Sequence, residues 1–118
     1  MLYQSDYILR LIEQMGALIR RALELERAGG DEQPYELAEQ ALSLALEIEP
    51  ETAYHLSPQS LAALLELSNQ DDRVLELVAE ALDIQADVLQ ADAQLMASES
   101  RRSQASAVRA LIDRRMPN

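Results

Sequence analysis

The stretch ILRLIEQMGALIRRALEL, residues 8–25, decides the fold class of this chain. Apolar residues return in it every three or four positions, as they do along one stripe of an α-helix, while polar residues lie opposite. This spacing continues almost to the C-terminus, and no segment alternates with a period of two. The pattern therefore predicts an all-α domain. The apolar stripe of this first predicted helix contains Ile8, Leu11, Ile12, Met15, Leu18, Ile19, Ala22 and Leu25.

The order of start and stop signals predicts about five helices. Ser5 or Asp6 can cap the first helix, Pro50 is expected to end the second, and residues 51–56 connect it to the third. The polar segment 97–100 is expected to bend or end the fourth helix. Short loops imply that neighbouring helices are largely antiparallel. The predicted helices span residues 6–27, 34–49, 58–68, 72–96 and 102–115.

Length and composition predict a single cytoplasmic domain over residues 1–118. The chain contains no Cys, which excludes disulfides and Cys-based zinc sites and suits a reducing compartment. It also contains no Lys, which excludes Schiff-base chemistry and a P-loop. No signal peptide is expected from the first residues, and the apolar runs are too short to span a bilayer. No cofactor is predicted.

Charge is high and unevenly distributed. The formal net charge of −11 argues against nucleic-acid binding, which needs a basic surface. No Lys or Arg occurs from residue 28 to residue 72, whereas the last predicted helix is rich in arginine. Those arginines either meet a membrane surface or an acidic partner, or pair with the acidic surface of the domain itself; we expect the second.

The second predicted helix resembles the second helix of a tetratricopeptide repeat. Ala38, Leu42 and Ala45 have the small–bulky–small spacing of that helix, and Pro50 follows at the position of the repeat's terminal proline. The last predicted helix repeats the spacing in part, with Arg109 at the bulky position. The resemblance implies tetratricopeptide-like antiparallel packing of the helices, without the three units that a functional array needs.

The opening residues resemble the start of an uncharacterised bacterial family of small tetratricopeptide-like proteins. Members begin with an aromatic residue, an Asp-Tyr-Ile-x-Arg segment and a long amphipathic helix. Here these are Tyr3 and Asp6-Tyr7-Ile8-Leu9-Arg10. No activity is assigned to that family, so the resemblance implies a bacterial, repeat-like helical fold and not a function.

Two features could form a catalytic or metal-binding site, and each also has a structural interpretation. His55 is the single histidine and could act as a general base or a metal ligand. Without Cys it completes no zinc motif, so a loop histidine with a structural role or none is expected. Four carboxylates recur on one face of the fourth predicted helix, where they could bind a hard cation or form a pair with raised pKa. A solvated outer face is the expected interpretation. The four are Glu76, Glu80, Asp83 and Asp87.

The start of the first predicted helix carries the predicted partner-binding residues: Tyr3, Asp6, Tyr7 and Arg10. Tyrosine and arginine dominate binding hot spots, and the alternative is a helix cap with an exposed ion pair. Leu9 and Leu23 lie outside the main apolar stripe, which predicts a homodimer.

No catalytic motif accompanies these residues. The sequence therefore predicts a protein–protein interaction or scaffold module without catalysis, whose partner is another protein or a second copy of this chain. The alternative is an enzyme or metal-binding helical protein that uses the carboxylates of the fourth predicted helix.

Overall fold

The computed structural model describes residues 2–28 and 33–116, without the side chains of residues 2–5. Within those residues the chain forms six α-helices and no strand, which confirms the all-α prediction with one helix more than the five expected. The helices are α1 (Leu2–Ala28), α2 (Gln33–Ala45), α3 (Pro50–Tyr54), α4 (Pro58–Leu67), α5 (Asp72–Ala91) and α6 (Leu95–Arg115).

The additional helix arises at Pro50, and the prediction that this proline ends the second helix is wrong. α2 ends at Ala45, and Pro50 is the first residue of α3. Proline lacks an N–H and suits a first helical position, whereas the residue before it is driven out of the helical region. Glu49 is accordingly extended, with φ −61° and ψ 139°. Residues 46–49, predicted as helix, therefore form the connection.

The break between the fourth and fifth predicted helices also lies elsewhere. α5 ends at Ala91 and α6 already begins at Leu95, so residues 97–100 are helical. The chain turns at Ala93, whose φ is 62°, and the Gln94 N–H donates to the Leu89 carbonyl at 2.8 Å. This is the left-handed cap that glycine usually supplies. Because alanine occupies it here, no glycine signals the turn in the sequence.

The start of the first helix differs from the prediction as well. α1 begins at Leu2, so Ser5 and Asp6 lie inside the helix and do not cap it. Side-chain caps are present at the starts of α4 and α5: the Ser57 hydroxyl accepts from the Ser60 N–H, and the Asp71 carboxylate accepts from the Arg73 N–H.

α5 lies at the centre of the fold and packs against α1, α2 and α6. Ion pairs join Asp87 to Arg102 and Asp72 to Arg115, so α5 and α6 are antiparallel. α4 packs against α6 and runs in the same direction, since hydrogen bonds join Gln104 to the Leu56 carbonyl before α4 and Arg115 to the Gln70 carbonyl after it.

The residues that carry the tetratricopeptide resemblance are in the core. Ala38, Leu42 and Ala45 are all buried where α2 faces α1 and α5. Small side chains on either side of the leucine allow the neighbouring helices to approach closely. Leu42 is therefore buried, as the spacing predicts. The tetratricopeptide repeat remains a resemblance in sequence.

Leu42→Ala tests this packing. Leu42 is 1% exposed, so the substitution should leave a cavity and lower the free energy of unfolding by about 2–5 kcal/mol. Urea denaturation followed by circular dichroism measures the change. The matched control is Leu67→Ala, since Leu67 is 85% exposed and its loss should cost less than about 0.5 kcal/mol. Equal effects of the two substitutions would contradict the placement of α2.

Candidate functional site

The predicted N-terminal patch lies on the exposed side of α1. Asp6, Tyr7 and Arg10 are exposed, and Tyr7 retains 66% of its accessible surface. Tyr7 and Arg10 are three residues apart and therefore project from one side of the helix. Asp6 and Arg10 form no ion pair within 4 Å. The side chain of Tyr3 lies outside the described residues.

A groove of about 520 Å³ begins beside Tyr7. The Gln70 side chain donates to the Ala45 carbonyl at 2.7 Å, and Arg115 donates to the Gln70 carbonyl at 2.8 Å. These bonds hold the α4–α5 turn against the end of α2 and against α6, so they fix the two sides of the groove that face α1. It is lined by Tyr7, Ile8, Leu11, Leu44, Ala45, Leu46, Glu47, Ser68, Asn69 and Gln70.

The carboxylates on α5 face the arginines of α6. Arg109 contacts Asp83 at 2.7 Å and Glu76 at 3.4 Å, while Arg102 contacts Asp87 at 2.7 Å. These carboxylates therefore stabilise the packing of α6 on α5, where a solvated face was expected. Among the described residues, no group of three or more His, Asp or Glu side chains is placed to hold a metal ion.

Glu80, the fourth of these carboxylates, has no arginine partner among the described residues. Partial burial raises the pKa of Glu80 above its usual value, and the charges of Glu76 and Asp83 raise it further, while Arg109 opposes them. The ionised form of Glu80 is thus less favourable in the folded protein than in the unfolded chain.

Arg101 differs from the other arginines of α6 because it is buried, with 7% of its surface exposed. Its Nε donates to Gln85 Oε1 at 3.2 Å, and one Nη donates to the Tyr35 hydroxyl at 2.8 Å. Its Cζ lies 3.5 Å from the centre of the Tyr54 ring, which is a cation–π contact. One side chain of α6 therefore contacts residues of α2, α3 and α5.

Tyr54 connects this arginine to a carboxylate. Its hydroxyl donates to Glu39 Oε2 at 2.9 Å and accepts from the Gln85 side chain at 2.6 Å. Burial, the largest cause, raises the pKa of the Tyr54 phenol far above its usual value, so the hydroxyl stays protonated. We call Tyr35, Glu39, Tyr54, Gln85 and Arg101 the polar network.

The polar network was not predicted from the sequence, although the sequence contains a signal for it. Gln85 lies on the apolar stripe of α5 between Leu82 and Leu89, and Arg101 and Gln104 continue the buried stripe of α6. Polar residues at core positions indicate either a binding site or a buried hydrogen-bond network. Gln104 holds α3 against α6, since its Nε2 donates to the carbonyls of Ala53 and Leu56, both at 2.9 Å.

A cleft opens beside the polar network, between α2, α3 and the start of α6. Its volume is about 450 Å³. His55 is exposed at its rim, at the end of α3. The cleft is lined by Tyr35, Glu39, Glu51, Tyr54, His55, Ala97, Ser100 and Arg101.

No helix in the described part of the chain is long and apolar enough to cross a membrane. Searches of protein-family models, curated proteins and solved structures find no match to this chain.

Glu80→Gln tests the electrostatics of the α5–α6 face. Because the pKa of Glu80 is raised on folding, its ionised form lowers stability at neutral pH, and this loss disappears as the pH falls through the folded pKa. The variant should be more stable than the parent at pH 7, by less than about 1 kcal/mol for a partly exposed group. The two should become equal below about pH 4. Thermal denaturation from pH 3 to 8 measures this, with the exposed Glu99→Gln as control. A variant less stable than its parent at pH 7 would contradict the assignment.

Proposed function

We propose that this domain binds another protein and catalyses no reaction. Its binding surface would be the N-terminal surface, which we define as Asp6, Tyr7, Arg10 and the groove beside Tyr7. The observation that carries the proposal is the position of Tyr7, which is 66% exposed at the edge of a groove. An aromatic ring left in water next to a concave surface can bury much of its area when a partner binds.

The groove supports the proposal by its composition. Leu44 is exposed, Ile8 and Leu46 are half-buried, and Asn69 and Gln70 add polar groups. A mixture of apolar area with a few polar groups is typical of protein interfaces. Since the bonds of Gln70 and Arg115 hold two sides of the groove in place, a partner would meet a groove that is largely formed, which lowers the entropic cost of binding.

Charge favours a basic partner. The chain carries a net charge of −11, and Glu47 lies at the groove. The arginines of α6 do not neutralise the negative charge at the groove, because Arg102, Arg109 and Arg115 form ion pairs with carboxylates of α5. A basic segment would therefore be attracted at long range, and its association rate would fall as salt is added.

The alternative of a metal site or active site on α5 has less support. Three of its four carboxylates are engaged by arginines, and the fourth has a raised pKa, which weakens it as a ligand at low pH. Binding a cation there would require these ion pairs to open.

Replacing Tyr7 and Arg10 together with Ala should abolish the capture of the partner by the purified, tagged protein. Both side chains are exposed, so the helical signal and the melting temperature should change little. Quantitative affinity capture from native cells, with mass spectrometry, measures the loss. The matched control replaces Leu95 and Met96 with Ala, because these residues are also exposed but lie at the α5–α6 turn.

The control protein should keep the partner. Retention of the same partner by the Tyr7 and Arg10 variant would exclude the N-terminal surface. Unfolding of that variant would show that the two residues are structural. Loss of the partner from both variants would place the contact elsewhere.

The sequence also predicts a homodimer, on the ground that Leu9 and Leu23 lie outside the main apolar stripe of α1. The structure exposes one of these two leucines. Leu23 packs partly against the core, so of the two leucines only Leu9 is exposed. Light scattering during gel filtration at tens of micromolar protein decides the matter. If a dimer forms, it should be more stable at high salt, because two chains of charge −11 repel each other. A monomer mass in both low and high salt would rule out the dimer.

A further inference from the structure

Among the residues that the structure describes, the guanidinium of Arg101 has no carboxylate partner. It is 7% exposed, yet no carboxylate of the described residues lies within 4 Å of it. A cation removed from water without an anion is unfavourable unless other groups compensate for it. Hydrogen bonds to Gln85 and Tyr35 and the ring of Tyr54 compensate in part. This makes Arg101 an attractive site for an anion.

Arg101 also has donor capacity left for a ligand. Its Nε and one Nη have acceptors, whereas the other Nη has no hydrogen-bond partner among the described residues. That nitrogen is not sealed from solvent, since the single fully buried polar side-chain atom without a partner in the described part is Gln104 Oε1. Arg101 lines the cleft, so the cleft is where its remaining N–H groups are accessible.

Two carboxylates face the same cleft. Glu39 accepts the Tyr54 hydroxyl, and Glu51 is exposed on α3. Tyr54 contacts both charges, with its ring against Arg101 and its hydroxyl on Glu39, but the two charged groups do not pair. The cleft therefore presents a cation and two anions that are held apart.

This pattern distinguishes between classes of ligand. A simple anion would be repelled by Glu39 and Glu51 and by the net charge of −11. A simple cation would be attracted to the two carboxylates, but it would leave the buried guanidinium of Arg101 without an anion. A zwitterion satisfies both signs and is neutral at long range. Its size is also suitable, because the cleft of about 450 Å³ falls in the range of small-molecule sites.

We propose that this cleft binds a free α-amino acid. The carboxylate lies on Arg101, the ammonium group faces Glu39 and Glu51, and the side chain contacts the rings of Tyr35 and Tyr54. The centres of these rings are 6.4 Å apart and their planes are inclined by 58°, so they form an angled apolar wall. The site is separate from the N-terminal surface, since Tyr35 and Leu44 lie near opposite ends of α2.

NMR titration of the whole, isotope-labelled chain tests the proposal. The probes are the common L-amino acids, each added to about 10 mM, which detects dissociation constants into the millimolar range. At least one should give saturable shifts that centre on Tyr35, Tyr54 and Arg101. Absence of saturable shifts with every amino acid would overturn the proposal, as would shifts centred on the groove beside Tyr7.

Two derivatives of the amino acid that binds best test the zwitterion. The amide lacks the carboxylate, and the N-acetyl form lacks the ammonium group. Each should bind at least about tenfold more weakly than the parent amino acid, because each leaves one charge of the cleft without its partner. A derivative that binds as well as the parent would show that the corresponding charge is not recognised, which contradicts the proposal.

Substitutions test which residues of the cleft bind the ammonium group and the carboxylate of the amino acid. Glu51→Gln should weaken binding several-fold with an unchanged spectrum elsewhere, because Glu51 is exposed. The matched control is Glu47→Gln, an exposed glutamate that does not line the cleft, and it should bind as the parent does. Arg101→Lys keeps the charge but not the planar group, and should abolish binding; its spectrum shows whether it is folded. Unchanged affinity in Glu51→Gln, or equal losses in both glutamate variants, would overturn the assignment.

Discussion

The position of Arg101 in the core is the constraint on which the arrangement of the helices depends. Its guanidinium stacks on Tyr54 of α3 and donates to Gln85 of α5 and Tyr35 of α2. A buried cation tolerates little displacement, because each lost contact leaves charge in a medium that solvates it poorly. The close apolar packing between α5 and α6 already resists sliding, and these polar contacts add a further restraint because they are satisfied in one register. The short helix α3 depends on the same residue, since a helix of five residues is not stable alone.

A second set of interactions explains the uneven charge of the chain. The arginines of α6 and the acids of α5 are well separated in sequence, but the antiparallel pairing of the two helices brings them together at Asp87, Asp83, Glu76 and Asp72. Each of these partly exposed pairs contributes little by itself. Together they favour one orientation of α6, since the reversed helix would place its arginines against different groups. They also leave the excess negative charge on the other surfaces of the domain, including the groove beside Tyr7.

The sequence predicted the fold class and the buried stripes of α1 and α2, because the helical period of apolar residues is a strong signal. It did not predict α3 or the turn at Ala93. Pro50 is compatible with both a stop and a start, and the choice depends on what α3 packs against. Ala93 adopts a conformation that its side chain does not favour, and the local hydrogen bonds of the turn, such as that from the Gln94 N–H to the Leu89 carbonyl, compensate for it. At the candidate sites, exposure of Tyr7 and Arg10 followed from periodicity. The polar network did not, because it joins residues that are up to 66 positions apart.

The two candidate surfaces are related through α2. The cleft involves Tyr35 and Glu39 in its first half, and the groove involves Leu44 and Leu46 at and beyond its end. The buried stripe of alanines and Leu42 holds this helix rigidly between α1 and α5. A ligand at the cleft would restrain Glu39 and Tyr54 and thereby the start of α2, but it could alter the groove only by shifting α2 as a whole. The tight packing around Leu42 opposes such a shift. The structure therefore favours two sites that act independently, unless a partner at the groove first loosens the bond between Gln70 and the end of α2.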